Sequence, residues 1–98
     1  MNPAGSGLTG AAHFVSRRFD KAVPNLLIAI EEDPSFLNPR RFLAACYAHM
    51  GRLDDARELV ARLRAITRNV IPDASYLRNP EHRELFLSGL RLAMSEET

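Results

Sequence analysis

Residues recur along this chain at a constant interval of 34 positions. The segment from Arg18 to Ala22 aligns with the segment from Arg52 to Ala56, so alanine occupies the same place twice. Three further positions match at the same interval: Ala11 with Ala45, His13 with Tyr47, and Leu26 with Val60. Such a period, with a small residue fixed at one place, is typical of helical hairpins stacked in a solenoid. A solenoid unit catalyses nothing by itself and instead builds a curved surface for another polypeptide.

The first hairpin is predicted from two helical segments. One runs from about Leu8 to Arg17 and contains Gly10. The other begins at Asp20, whose carboxylate is expected to cap the helix. Pro24 then falls in the first turn, where a missing amide proton costs little. This second helix ends just before Pro34.

The second hairpin has clearer boundaries. Its first helix is predicted from about Asn38 to Met50, with apolar residues at spacings of three and four. Gly51 follows as the left-handed residue that ends it. Asp54 is expected to cap the next helix, from about Asp54 to Ile66, whose acidic residues come first and whose arginines come last, as the helix dipole favours.

A last helix is predicted after a break at Pro72. Residues 73–77 are expected to make one short turn. Asn79 then serves as the N-cap and Pro80 as the first helical residue, a strong start signal. The helix runs to about Met94 and is apolar over too wide an arc for a simple surface helix. We therefore expect it to be buried on two sides or in an interface.

Composition limits the possible functions. Ninety-eight residues make one domain, and a net charge of +1 gives no overall attraction to nucleic acid or to acidic lipid. The single cysteine cannot form an internal disulfide, which favours a reducing cytoplasm. No apolar run approaches the length of a membrane span.

Two other functions compete with a binding role. Cys46 and His49 could supply two ligands of a metal site in an enzyme, but no second pair such as Cys-x-x-Cys is present. We therefore predict no catalytic residue, no metal and no cofactor. The alternative is a small helical nucleic-acid-binding protein, which would use the basic residues of the fourth helix: Arg57, Arg62, Arg64 and Arg68.

The second hairpin resembles one complete tetratricopeptide repeat. The resemblance lies in the segment Arg40-x-x-Leu43-Ala44-x-x-Tyr47, followed by Gly51, Ala56, Val60 and Leu63. The family pattern has Trp at the place of Arg40, Gly at that of Ala44 and Pro at that of Arg68. The resemblance implies an all-α fold, in which antiparallel hairpins form a right-handed α-α superhelix closed by a C-terminal capping helix.

The expected domain organisation follows from these segments. Residues 1–7 should form a disordered N-terminus, 8–94 a helical domain and 95–98 a tail. Within the domain, residues 8–34 form a degenerate repeat, 37–70 a full repeat, and 73–94 a partial third unit or cap. Because solenoids generally need about three units to be stable, we expect a homo-oligomer or a part of a larger chain.

Residues 18–93 also resemble the C-terminal region of bacterial class III adenylate and guanylate cyclases that carry tetratricopeptide repeats. The similarity lies in Phe19 to Pro24, in the hairpin from Leu43 to Ala56, in Arg78 to Glu84 and in Gly89 to Ala93. It covers no catalytic domain. It implies a non-catalytic accessory region, or a free-standing relative of it. We expect this cytoplasmic module to bind a protein or peptide segment in scaffolding or regulation.

The family resemblance also implies where a partner would bind. The concave wall is built mainly by the first helix of each repeat, which places six residues in the groove: Phe14, Asn38, Arg41, Ala45, Ala48 and His49. Ala11 and Val15 are expected beside them. Ala11 and Ala45 stand where carboxylate-binding members of the family have asparagine, so an apolar helix or segment is the expected guest.

Overall fold

The computed structural model describes residues 3–68 and 77–94, with side chains described over 9–68 and 77–94. The regular elements of these residues are five α-helices: α1 (Pro3–Val15), α2 (Phe19–Glu32), α3 (Asn38–His49), α4 (Leu53–Ile66) and α5 (Pro80–Met94). Helices α1 and α2 form one hairpin, α3 and α4 form the next, and α2 packs against α3 to join the two. Helix α5 then packs against α3 and α4. The predicted all-α fold with a C-terminal capping helix is confirmed.

The same turn connects the two helices of each hairpin. Arg17 and Gly51, which are 34 residues apart, both have a left-handed backbone, with φ of 63° and 82°. The following amide then donates to a carbonyl five residues earlier, which satisfies the end of the preceding helix. These bonds are 2.8 Å long in both hairpins, from Arg18 to His13 and from Arg52 to Tyr47. The terminating role predicted for Gly51 is confirmed.

The predicted caps at Asp20 and Asp54 are wrong by two residues, because the N-caps are Arg18 and Arg52. Helices α2 and α4 begin at Phe19 and Leu53, because a single bridging arginine after the left-handed residue is enough to reverse the chain. Neither bridging arginine forms a side-chain cap bond. Asp20 and Asp54 therefore lie inside the first turn, where their negative charge still suits the helix dipole.

The first hairpin differs from its predicted boundaries at two points. Helix α1 begins at Pro3 instead of about Leu8, so residues 3–7 are helical rather than disordered, and it ends before the turn at Arg17. Proline suits the first position of a helix, which explains the earlier start. Pro24 is the sixth residue of α2 and lies in its second turn, so it removes the amide that would bond the Asp20 carbonyl.

The C-terminal helix begins as the sequence predicts. The Asn79 side-chain Oδ1 accepts a hydrogen bond from the Glu81 amide at 2.9 Å, and Pro80 is the first helical residue. Leu85, Phe86 and Leu90 are buried, whereas Leu92 is exposed. The expected burial on two sides is thus met by α3 and α4. Most of the predicted turn at 73–77 and the tail at 95–98 lie outside the described residues.

Small residues set the distance between helices inside each hairpin. Ala22 and Ala56, the repeated alanines, are completely buried. A Cβ atom at Gly10 would lie 2.8 Å from Cγ of Leu26, so α1 approaches α2 more closely than alanine would allow. Gly10 lies 34 residues before Ala44, at the place where the repeat pattern has glycine.

Three aromatic rings hold the helices together at the centre of the core. Phe42 stacks on Phe86 with ring centroids 4.3 Å apart. Phe14 meets both rings edge-on, at 5.3 Å and 6.2 Å. These rings come from α1, α3 and α5, so the last helix shares one core with the first hairpin. Among the side chains that the structure describes, no polar or charged residue is buried in that core.

The two equivalent turns yield a reciprocal test of backbone strain. Arg17→Gly should raise the free energy of unfolding by about 1 kcal/mol, because a left-handed conformation strains any residue with a Cβ. Gly51→Arg should lower it by about 1–2 kcal/mol. Nothing lies within 4 Å of a Cβ built at Gly51, so the loss of stability in the Gly51→Arg variant would reflect backbone strain alone. Urea unfolding measures both, and two unchanged midpoints would contradict this account of the turns.

The alanine at the second crossing yields another test. Ala56→Leu should lower the free energy of unfolding by about 1–3 kcal/mol, because the added carbons have no space beside α3. Ala65→Leu is the matched control, since Ala65 lies exposed on the same helix. The control should change stability by no more than about 0.5 kcal/mol. Equal effects of the two substitutions in urea unfolding would mean that α3 and α4 do not cross at Ala56.

Candidate protein-binding surface

Helix α5 lies along α3 and runs parallel to it. Phe42 pairs with Phe86, and three residues further along each helix Ala45 approaches Gly89, so both pairs are 44 positions apart. A constant offset in the same direction means that the two helices point the same way. Helix α5 therefore takes the place where the first helix of a third repeat would pack, and it also reaches α1.

The closest approach of the two helices is at Gly89. A Cβ atom built there would lie 2.7 Å from Cβ and 2.9 Å from Cα of Ala45, and 2.9 Å from Nε2 of His49. Cα of Ala45 belongs to the backbone of α3 and Cβ is bonded directly to it, so neither atom can move away at low cost. Glycine is thus required at this position for α5 to seat against α3.

His49 also holds α5 against α3, through a polar contact close to Gly89. Its Nε2 lies 2.8 Å from the carbonyl oxygen of Leu85. Because that oxygen can only accept, the ring nitrogen carries the proton and donates it. The ring also stacks on Phe19, with centroids 5.4 Å apart and planes 11° apart. One side chain thus links α2, α3 and α5.

The residues predicted to line an open groove divide into two groups. Phe14, Ala45 and Ala48 are buried, with Phe14 against Phe86 and Ala45 against Gly89, and His49 is bonded to α5. The predicted open groove is therefore covered over much of its length by the chain's own last helix. This happens because two hairpins leave an apolar face that α5 can bury. Ala11 and Val15 are partly buried against the same core.

Asn38 and Arg41 form the part of the predicted groove that stays accessible. Both are partly exposed, and Nη1 of Arg41 donates to Oδ1 of Asn38 at 2.9 Å. They lie one turn apart on the face of α3 that also carries Ala45. A partner that approaches this face would therefore meet a guanidinium and an amide first.

The chemistry required for a metal site is missing around Cys46. Its side chain is fully buried, and burial raises the pKa of the thiol to about 12, so it stays protonated at neutral pH. His49 already uses one ring nitrogen on Leu85. Within residues 3–68 and 77–94, no three His, Cys, Asp or Glu side chains come together as metal ligands would.

The basic helix considered for nucleic-acid binding carries acidic residues among its arginines. Arg62 pairs with Glu58 at 3.5 Å, and both side chains are more than two-thirds exposed. Arg52, just before the same helix, pairs with Asp55 at 2.8 Å. Exposed pairs of this kind contribute little energy and leave no uniform positive surface on α4. Over the part of the chain that the structure describes, no helix has the length and apolarity needed to cross a bilayer.

Two features of this surface were missed at the level of sequence. Phe86 and Gly89 are the residues by which α5 packs on α3, yet Phe86 stood only as a member of a broad apolar run and Gly89 only as part of the segment that resembles the cyclases. A glycine in the middle of an otherwise strong helix was the available signal, since it costs helix stability unless close packing requires it. Gly10 gave the same signal in α1.

The close packing of α5 on α3 can be tested by adding one carbon atom at Gly89. Gly89→Ala should lower the free energy of unfolding by about 1–3 kcal/mol through the clash with Ala45, despite the better helix propensity of alanine. The substitution should accelerate amide hydrogen exchange more in α5 than in α2. Leu92→Ala, on the exposed side of α5, should leave exchange in the helix nearly unchanged. Unaltered exchange in the Gly89 variant would mean that α5 does not approach α3 closely.

Comparison with known proteins agrees with this architecture. No curated protein and no solved structure matches the chain significantly. The sequence profile of one family, described as Tetratricopeptide repeat, matches residues 16–79. The match covers about two thirds of the chain, from the turn before α2 to the N-cap of α5. The chain therefore belongs to the tetratricopeptide repeat family.

Proposed function

We propose that this chain is a non-catalytic protein-interaction module with a scaffolding or regulatory role. Tetratricopeptide repeats generally mediate contacts between proteins, and the fold here is built from two such hairpins. The observation that carries the proposal is the packing of α5. The face made by α1 and α3 already binds an apolar helix. The groove residues named above, Phe14, Asn38, Arg41, Ala45, Ala48 and His49, are the proposed binding site.

We infer that a partner helix competes with α5 for this face. The partner would first meet Asn38 and Arg41, which stay accessible, and would then replace α5 along Ala45. A guest of this kind needs an aromatic residue followed three positions later by a glycine, the pattern of Phe86 and Gly89. The partner is thus a protein or peptide segment in the cytoplasm.

Two more specific parts of the proposal concern the signalling context and the assembly of the protein. The first rests on the resemblance to cyclases, and the second rests on the number of helical hairpins. The similarity of residues 18–93 to repeat regions of bacterial class III cyclases supports an accessory role beside a nucleotide cyclase or another signalling protein. Two hairpins and one further helix are fewer units than most solenoids have. That supports a homo-oligomer or a place within a larger chain.

The proposal is tested by affinity capture from cells of the source organism, with nuclease treatment to remove proteins held through nucleic acid. Arg41→Ala should reduce capture of the specific partner several-fold, because it removes an accessible contact in the groove. Gly89→Ala should increase capture, because it loosens α5 without altering a groove residue. A nucleotide cyclase among the captured proteins would support the accessory role.

Leu92→Ala serves as the control, since Leu92 lies outside the groove on the exposed side of α5. Equal capture by the wild-type protein and by the Arg41 and Gly89 variants would contradict the proposed site. Partners lost on nuclease treatment would instead favour the nucleic-acid alternative.

A further inference from the structure

Helix α2 carries an apolar face that the fold does not bury. Its core side consists of Ala22, Leu26 and Ala29. On the opposite side, Pro24, Leu27, Ile28 and Glu31 are all exposed. Leu27 is 45% exposed and Ile28 44%, although both are large aliphatic residues in the middle of a helix. We call Pro24, Leu27, Ile28, Glu31 and the adjoining Glu32 the α2 outer face.

The second hairpin shows that folding does not require this apolar surface. The equivalent positions of α4, 34 residues later, hold Glu58, Ala61, Arg62, Ala65 and Ile66, so the middle of that face has no large aliphatic residue and the exposed Ile66 stands only at its end. Helix α4 nevertheless makes the same hairpin, with the same turn and the same buried alanine. Leucine and isoleucine at the α2 positions therefore exceed what the repeat needs.

The charges at the end of the α2 outer face are also unusual. Glu31 and Glu32 are exposed in the last turn of α2, where the carbonyl end of the helix dipole is negative. Like charge there destabilises a helix slightly. Helices α4 and α5 follow the opposite rule and carry Arg64 and Arg91 in their last turns.

No compensating contact explains the two glutamates. Neither forms an ion pair or a side-chain hydrogen bond with any residue that the structure describes. The next residue, Asp33, is different, because its Oδ1 accepts hydrogen bonds from the amide and hydroxyl of Ser35. The glutamates thus supply unneutralised negative charge beside exposed leucine and isoleucine, and the natural complement is positive charge beside apolar side chains.

We propose that the α2 outer face binds a basic amphipathic helix of a partner protein. Apolar side chains of that helix cover Leu27 and Ile28, and its lysines or arginines pair with Glu31 and Glu32. The inference rests on the interaction role proposed above, but it uses the side of α2 turned away from the core and from α5. A partner can therefore bind here while α5 keeps its seat.

The probe is a synthetic peptide of about 16 residues, with leucines at helical spacing on one side and arginines beside them. Titration into the isotope-labelled protein should shift the amide resonances of residues 25–32 and leave those of α5 unchanged. Binding should weaken as salt is added, because exposed charges are screened. The same peptide with glutamate in place of arginine should not bind.

The matched variant takes its residues from the second repeat. Leu27→Ala with Ile28→Arg should keep the fold, as Ala61 and Arg62 do in α4, and should weaken peptide binding by about tenfold or more. Glu31→Ala with Glu32→Ala should weaken binding less and remove most of its salt dependence. Arg62→Ala in α4 should change nothing. Unfolding midpoints show that each variant is folded before binding is compared.

Equal peptide affinity in the wild-type protein and the Leu27/Ile28 variant would overturn the proposal, as would resonance shifts confined to another surface. Sedimentation supplies a further outcome. If the wild-type protein dimerises and the Leu27/Ile28 variant does not, the occupant is a second copy of this chain and the proposed partner is wrong. Capture that depends on Arg41 would be unaffected by any of these results, so the two proposals fail separately.

Discussion

The structure depends on how closely its helices approach one another at positions that hold only glycine or alanine. Gly10 sets the distance between α1 and α2, the small Ala56 is completely buried in the second hairpin, and Gly89 brings α5 onto Ala45. Each extra carbon at such a crossing would separate two helices along their whole length. Dispersion contacts decay steeply with distance, so the aromatic cluster of Phe14, Phe42 and Phe86 would lose its packing as well.

The apolar face of the second hairpin explains why α5 packs where it does. A repeat exposes an apolar face to the element that follows it, and that face must be covered or left in water. Helix α5 covers it with Phe86 and Leu90, both fully buried. The contact also adds a hydrogen bond from His49. The same interaction completes the core and makes the groove selective, because any guest must replace a helix that already fits.

The repeat period was enough to predict the hairpins and the all-α fold, and local start and stop signals predicted the turn at Gly51 and the start of α5. It predicted less where local chemistry departs from the pattern. Arg17 takes a left-handed conformation that the sequence signals only when it is aligned with Gly51, so the end of α1 was placed too late. The aspartates at 20 and 54 looked like caps because capping preference is judged one residue at a time. The covering of Phe14 and Ala45 by α5 depends on tertiary packing between segments that no local pattern relates.

An internal repeat separates the residues that a fold requires from those that it only tolerates. Residues shared by both hairpins, such as Ala22 and Ala56, are required by the packing of the helices. Residues that differ at equivalent exposed positions are not required by that packing. Leu27 and Ile28 are in the second group, and so are Glu31 and Glu32, which lie at the unfavourable end of the helix dipole and pair with no residue that the structure describes. Exposed aliphatic surface and uncompensated charge each lower solubility or helix stability slightly, and α2 carries both. A binding partner would offset both costs at once, whereas the folding of the isolated chain offsets neither.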